Sequence, residues 1–207
     1  MARNDFIGVI TVHKKINQRV GILGGTFDPI HEGHLIIAEN AIQTLTLDHV
    51  ELIPCFQPPH RQAIASAVDR LAMVKLAIKN HAKLIVNDVE IKRKGISYTI
   101  DTLRELKKIS PATEFFYIIG ADAFSQFDTW KSPQEILTLA TLVVVNRETE
   151  KNKTHSTTFD DQVMHLPITP IPYAASDIRA QLQSKEKKIA GLPTIVLEFI
   201  QKNQLYR

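Results

Sequence analysis

Cysteine, tryptophan and long apolar runs are scarce in this chain. Of its 207 residues one is cysteine, Cys55, so no disulfide can form within the chain and a reducing cytoplasmic location is compatible. No apolar run approaches the roughly 20 residues of a membrane span. Phe6 to Val12 is a weak match to a signal-peptide core, but it is short, and His13-Lys14-Lys15 follows where small residues would mark a cleavage site. Basic and acidic residues number 25 and 22, a net charge of +3 with no dense Lys/Arg block, so nucleic acid is not indicated and small anionic substrates are. The dinucleotide fingerprint Gly-x-Gly-x-x-Gly and the phosphate loop Gly-x-x-x-x-Gly-Lys-Ser/Thr are both absent, as are repeats and low-complexity tracts. Hydrophobic content of 44% is ordinary for a globular protein and enough for a sizeable core at this length. Residues 1–18 read as an N-terminal extension (an added strand, a loose tail or an upstream start), and residues 19–207 as one domain.

What is present is organised around Arg19 to His34. A short apolar run, Val20 to Leu23, has the length of a buried strand. Gly24 and Gly25 remove side chains where another molecule can approach the main chain. Thr26, Phe27, Asp28 and Pro29 make a turn, and Gly33-His34 leads into a helix with Leu35, Ala38, Ile42 and Leu45 on one face. A strand, a glycine turn and a helix start direct free backbone N–H groups and the positive end of the helix dipole to one spot. His31 and His34 stand there one turn apart, each able to donate to a phosphate oxygen. A bare turn or a pair of zinc ligands are the competing readings, and no Cys pair or His-Glu-x-x-His helix completes a metal set. No resident metal site is therefore expected.

Further along, short apolar runs alternate with helical periodicity. Strands are expected at Val20–Leu23, Val50–Ile53, Leu84–Asn87, Phe115–Ile119, Leu142–Val145 and Val163–Leu166. Helices are expected at His34–Leu45, Val68–Lys79, Thr99–Ile109, Pro133–Leu139, Asp177–Gln183 and Pro193–Lys202. Such alternation predicts an α/β protein, a Rossmann-like doubly wound parallel sheet with helices on both faces and a small C-terminal helical part. Ligands of such sheets lie at the carboxyl ends of the strands.

Several residues are placed at that end. His60 and Arg61 follow a stiff Pro54-to-Pro59 loop and can reach an anion, or else tip a solvated connector. Asp69 and Arg70 open a helix read as core packing alone. Ser97 or Thr99 caps a helix whose first-turn N–H groups can bind a carboxylate. Asp122, just past the strand ending at Gly120, accepts ribose hydroxyls or caps the next helix. Trp130, beside Lys131 in a polar loop, is a candidate stacking platform for an aromatic ring, or core. Ser132-Pro133-Gln134-Glu135 reads as an N-cap, a first-turn proline and a capping box. Arg147, at a strand's carboxyl end, is an anion contact or a surface charge. Ser176 reads as an N-cap, with Arg179 over the same turn as a second phosphate grip.

Gly24-Gly-Thr-Phe-Asp-Pro-Ile-His-Glu-Gly-His34 resembles the signature of the nucleotidyltransferase superfamily with the His-x-Gly-His motif. Pro58-Pro59-His60-Arg61, Ser97-Tyr98-Thr99, Ile118-Ile119-Gly120-Ala121-Asp122, Thr129-Trp130, Ser176-x-Ile178-Arg179 and the closing Leu205-Tyr206-Arg207 extend the match over nearly all of Arg19 to Arg207. Together they resemble the bacterial nicotinate-nucleotide adenylyltransferases. The resemblance implies adenylyl transfer from ATP, with Mg²⁺ on its polyphosphate, to nicotinate mononucleotide in NAD biosynthesis. It implies ATP contacts by Gly24, Gly25, Thr26, Phe27, Gly33, Gly120, Asp122, Ser176, Ile178 and Arg179, with His31 and His34 on the phosphates and His34 stabilising the transition state. Tyr98, Thr99, Trp130 and Lys131 would surround the nicotinate ring, its carboxylate received by the main-chain N–H groups of Thr99 and Lys131. His60, Arg61 and Arg147 would face the acceptor nucleotide. The chain departs from the family pattern at Ala174, which lacks a hydroxyl, at Arg61, where many members have Lys, and at the apolar Cys55-Phe56. A nucleotidyltransferase acting on phosphopantetheine or nicotinamide mononucleotide, and a non-catalytic nucleotide sensor, are the rivals. Oligomeric state is left open, a homo-oligomer included.

Overall fold

The computed structural model describes residues 17–60, 62–147, 158–169, 171–183 and 188–207. Six parallel strands form one sheet in the order β3-β2-β1-β4-β5-β6. They are β1 (Arg19–Gly25), β2 (His49–Pro54), β3 (Leu84–Val86), β4 (Glu114–Gly120), β5 (Thr141–Arg147) and β6 (Met164–Ile168). The helices are α1 (Glu32–Thr44), α2 (Ala67–Ala77), α3 (Val89–Arg93), α4 (Thr99–Ile109), α5 (Ala121–Phe124), α6 (Pro133–Leu139), α7 (Ala175–Leu182) and α8 (Thr194–Lys202). Each strand expected from an apolar run is present. The two helices not expected, α3 and α5, have five and four residues, too few for a 3.6-residue period to register.

The apolar runs are unbroken because both faces of the sheet are buried. In β4, Phe116 and Ile118 face one core, with α1, α2 and α8, while Phe115, Tyr117 and Ile119 face the other, with α4 and α6. In β5, Val143 and Val145 divide from Leu142 and Val144 in the same way. β1 pairs with β2 on one side and β4 on the other, so the strand order reverses beside it. That reversal opens a crevice at the strands' carboxyl ends, where Gly24-Gly25 and Gly120 lie.

Ser132 is the N-cap of α6, with Pro133 in its first turn, as expected, but it is left-handed (φ 54°) and makes no side-chain cap bond. Glu135, expected to complete the box, instead takes two bonds from Arg104, at 2.7 and 2.6 Å. Ser176 lies inside the first turn of α7, whose N-cap is Ala174. The N-cap of α4 is Tyr98, because Ser97 is occupied in accepting the Phe56 N–H and Thr99 in pairing with the Tyr117 hydroxyl. Asp122 likewise follows the N-cap of α5, which is Gly120. For Glu135, Ser97 and Thr99 a tertiary contact outweighs the local capping preference. Among the described residues no helix is long and apolar enough to cross a membrane.

Candidate active site

A cavity of about 630 Å³ fills the crevice between β1 and β4. One wall is the end of β1 and the loop after it, Gly24 to Asp28, with His34 from α1 and Arg179 from α7. The other is Tyr98 and Thr99 at the start of α4, with Thr129, Trp130 and Lys131. Gly120 lies in the strand-end floor, and an added Cβ there would meet nothing within 4 Å, so glycine leaves the space open. Pro58, Pro59 and His60 form part of the rim.

Gly24 serves a neighbour rather than a turn. Both signature glycines lie within β1, and a Cβ on Gly24 would stand 2.6 Å from the Tyr117 hydroxyl. Tyr117 needs that space because its oxygen meets Thr99 Oγ1 at 3.0 Å, fixing the first residue of α4. Burial raises the Tyr117 pKa, so the phenol stays neutral. The N–H of Thr99 lies ahead of the first helical hydrogen bond, where an anion is stabilised by the helix end.

The imidazoles are layered, not side by side at the surface. His31 is 7% exposed and stacks on His34 with ring centroids 3.8 Å apart. Its backbone N–H donates to His34 Nδ1 at 3.2 Å, which places the proton of a neutral His34 on Nε2. Phe27, at φ 50°, meets the His34 ring edge-on at 5.0 Å. Burial pushes the His31 pKa down to about 4, so His31 is neutral near pH 7. His31 Nδ1 is buried without a hydrogen-bond partner. The start of α1 is also less open than its sequence suggests, since Glu32 N–H donates to the Gly191 carbonyl at 2.8 Å. Gly33 is required beneath the rings, where a Cβ would stand 2.9 Å from His31 Nδ1.

The loop Thr26 to Pro29 is held from beneath by residues that sequence reading missed. Arg70 is not simple packing. At 1% exposure it donates to the carbonyls of Thr26 (2.7 Å), Phe56 (2.9 Å) and Ala65 (3.2 Å). Asp28 accepts the Ile64 and Ala65 N–H groups at 2.7 and 3.0 Å, while its carbonyl accepts Arg179 Nη1 at 2.7 Å. Glu90, also in the cavity wall, accepts the Thr102 hydroxyl at 2.6 Å, and its burial raises its pKa. Burial also raises the pKa of the Cys55 thiol, keeping it protonated. The only signal for Arg70 was a charge at an inward helical position.

Not all expected residues reach the cavity. Gly24, Gly25, Thr26, Phe27, His34, His60, Tyr98, Thr99, Gly120, Trp130, Lys131 and Arg179 line it. His31 and Gly33 stand behind its wall. Ile178 is 1% exposed and packs in the core, because it falls on the inward face of α7. Ser176 and Asp122 are exposed outside it. The Lys131 ammonium is tied to Asp101 at 2.7 Å and lies over the Tyr98 ring. Trp130 packs edge-on to Tyr117 and against Phe127, half-buried in the wall. Arg147 ends β5. Arg61 lies outside the described residues. Among the described residues no group of three or more His, Cys, Asp or Glu could hold a metal ion.

A family model described as cytidylyltransferase-like matches residues 22–181. A Desulfitobacterium hafniense (strain Y51) protein named "Probable nicotinate-nucleotide adenylyltransferase" is 37% identical over 199 residues, 92% of this chain and 96% of that one. A Coxiella burnetii (strain RSA 331) protein of the same name is 38% identical over 210 residues, with 91% and 98% covered. Among solved structures, Plasmodium falciparum nicotinic acid mononucleotide adenylyltransferase complexed with NaAD superposes with a TM-score of 0.75 at 19% identity. The match spans 92% of this chain and 98% of that one, a likeness of fold. With the family model matched across the sheet, and full-length relatives aligned over nine-tenths of the sequence, the chain belongs to the cytidylyltransferase-like family and, within it, to the nicotinate-nucleotide adenylyltransferases.

Proposed function

We propose that the chain transfers the adenylyl group of ATP to the 5′-phosphate of nicotinate mononucleotide, releasing pyrophosphate and deamido-NAD. The observation that carries this reading is a single cavity with two unlike walls. His34 and Arg179 stand with the glycine strand end on one wall, and the α4 start stands with Trp130 on the other. The first wall suits a polyphosphate and the second a flat anionic ring.

Both reactants are anions, so the protein has to align them and offset charge as the acceptor phosphate attacks the α-phosphorus in line. No covalent enzyme intermediate is needed. His34, with its proton on Nε2, donates to a phosphate oxygen, and His31 beneath it holds that ring. Arg179 adds a planar fork of donors on the same wall. The Thr99 and Lys131 N–H groups receive the nicotinate carboxylate between Tyr98 and Trp130, and His60, with Arg61 and Arg147, serves to bind the acceptor nucleotide. Ser176 and Asp122 stand outside the cavity and Ile178 packs behind it, so no direct contact is assigned to their side chains. Mg²⁺ arrives as substrate on the ATP polyphosphate. The Asp28 carboxylate, in the phosphate wall, is committed to Ile64, Ala65 and Tyr206. Residues 19–207 form the catalytic unit, with residues 1–18 outside it.

Pyrophosphate release measured with nicotinate mononucleotide, its amide and phosphopantetheine tests the reading. Nicotinate mononucleotide is expected to lead by at least about tenfold in kcat/KM, the scale on which an unmatched buried polar contact discriminates. A lead for either other acceptor would reassign the second wall.

A further inference from the structure

The segment after α8 is held firmly in place. Here Leu205 N–H donates to the Ile200 carbonyl at 3.0 Å, and Gln204 and Tyr206 both take left-handed backbone, φ 58° and 62°. Side chains disfavour that conformation, so neighbouring contacts must impose it. Tyr206 is 7% exposed, and its hydroxyl donates to Asp28 Oδ1 at 2.7 Å, across 178 residues of sequence. Burial raises the phenol's pKa, so it stays a donor.

Asp28 is where four parts of the molecule meet. Its carboxylate takes the N–H groups of Ile64 and Ala65, from the loop whose Gln62 and Ile64 line the cavity. Its carbonyl takes Arg179, and its neighbour Phe27 packs edge-on to the His34 ring. We infer that Tyr206 is a positioning residue for the transfer reaction: through Asp28 it fixes Phe27, His34 and Arg179 relative to the acceptor-side loop. This rests on the adenylyl-transfer reading. An offset of about 1 Å between bound reactants can lower a rate about a hundredfold, so loosening one of several ties to Asp28 should be felt in turnover more than in binding.

The test is steady-state pyrophosphate release by Tyr206→Phe, with Asp28→Asn as a second route to the same contact, each checked by thermal melting. Val196→Ala, a buried α8 substitution outside the cavity, controls for lost stability. Tyr206→Phe is expected to lower kcat about tenfold with KM for both substrates within threefold. Asp28→Asn should show a similar loss, the double variant should lose no more than Asp28→Asn alone, and Val196→Ala should keep wild-type kcat. Wild-type kcat in Tyr206→Phe, or losses that multiply in the double variant, would overturn the inference. The comparison is run on whichever acceptor turns over fastest, so a failure of the acceptor assignment leaves this outcome readable.

Discussion

Gly24→Ala is the sharpest perturbation the structure offers. Gly24 is in extended strand with no positive φ, so alanine meets no backbone penalty, and the narrower unfolded ensemble would by itself stabilise the variant by about 0.4–1 kcal/mol. The new Cβ, however, would stand 2.6 Å from the Tyr117 hydroxyl and 3.4 Å from its Cζ. The first distance is a clash and the second an ordinary contact. The clash falls on a rigid ring buried against the sheet, and relief requires the oxygen to leave Thr99 Oγ1, now at 3.0 Å. Overpacking of this kind costs about 1–3 kcal/mol and the lost hydrogen bond about 1 kcal/mol. Net destabilisation of about 1–3 kcal/mol is expected once the unfolded-state gain is subtracted. Because Thr99 begins α4, KM for the nicotinate substrate should rise more than KM for ATP. Tyr117→Phe removes the offending oxygen, so Gly24→Ala/Tyr117→Phe should be more stable than Gly24→Ala alone, a sign reversal visible in a double-mutant cycle of urea melts. If Gly24→Ala is as stable as wild type, or if Tyr117→Phe deepens its loss, the clash is not what makes Gly24 glycine.

His34→Ala should fold normally and lose about 10²–10³ in kcat, the usual consequence of deleting one preorganised donor, measured by pyrophosphate release; near-full turnover would remove His34 from the mechanism. His31, at about 4 in the fold against 6.5 unfolded, binds a proton more readily when unfolded. Stability is therefore complete above about pH 6.5 and should fall by about 3 kcal/mol as the pH drops toward 4, with His31→Gln flattening that limb in urea melts at stepped pH. Arg70→Met keeps much of the volume but orphans the carbonyls of Thr26, Phe56 and Ala65. A loss of about 3–5 kcal/mol in chemical denaturation is expected, and a loss under 1 kcal/mol would mean that water replaces the guanidinium.

The strands were readable because a sheet covered on both faces leaves unbroken apolar runs, and Phe115 to Ile119 is such a run in full. The cavity's two walls were readable because Gly24 to His34 and Ser97 to Thr99 are local segments whose residue types carry their own chemistry. What holds those segments was not readable. Tyr206 reaches Asp28 across 178 residues and Arg179 reaches it across 151, and no periodicity spans such intervals. Arg70 looked like filler because an inward helical position is read by hydrophobicity, whereas its partners are main-chain carbonyls that a sequence does not display. The propensity rule finds the N-cap of α6 at Ser132 but not its left-handed backbone, and it misplaces the start of α7, where Ser176 lies inside the first turn.

The β1–β4 seam also bears on how the chain assembles. Arg19 pairs with Glu114, 95 positions on, whereas Val20 pairs with His49, only 29 positions on. Closing the longer loop requires about 1 kcal/mol more entropy than closing the shorter, from the logarithm of their ratio. The cavity seam is thus the more costly of the two pairings of β1 to close. A nucleotide lodged across it would act as a clasp, strengthening by mass action the joint that the chain closes at the greater entropic disadvantage.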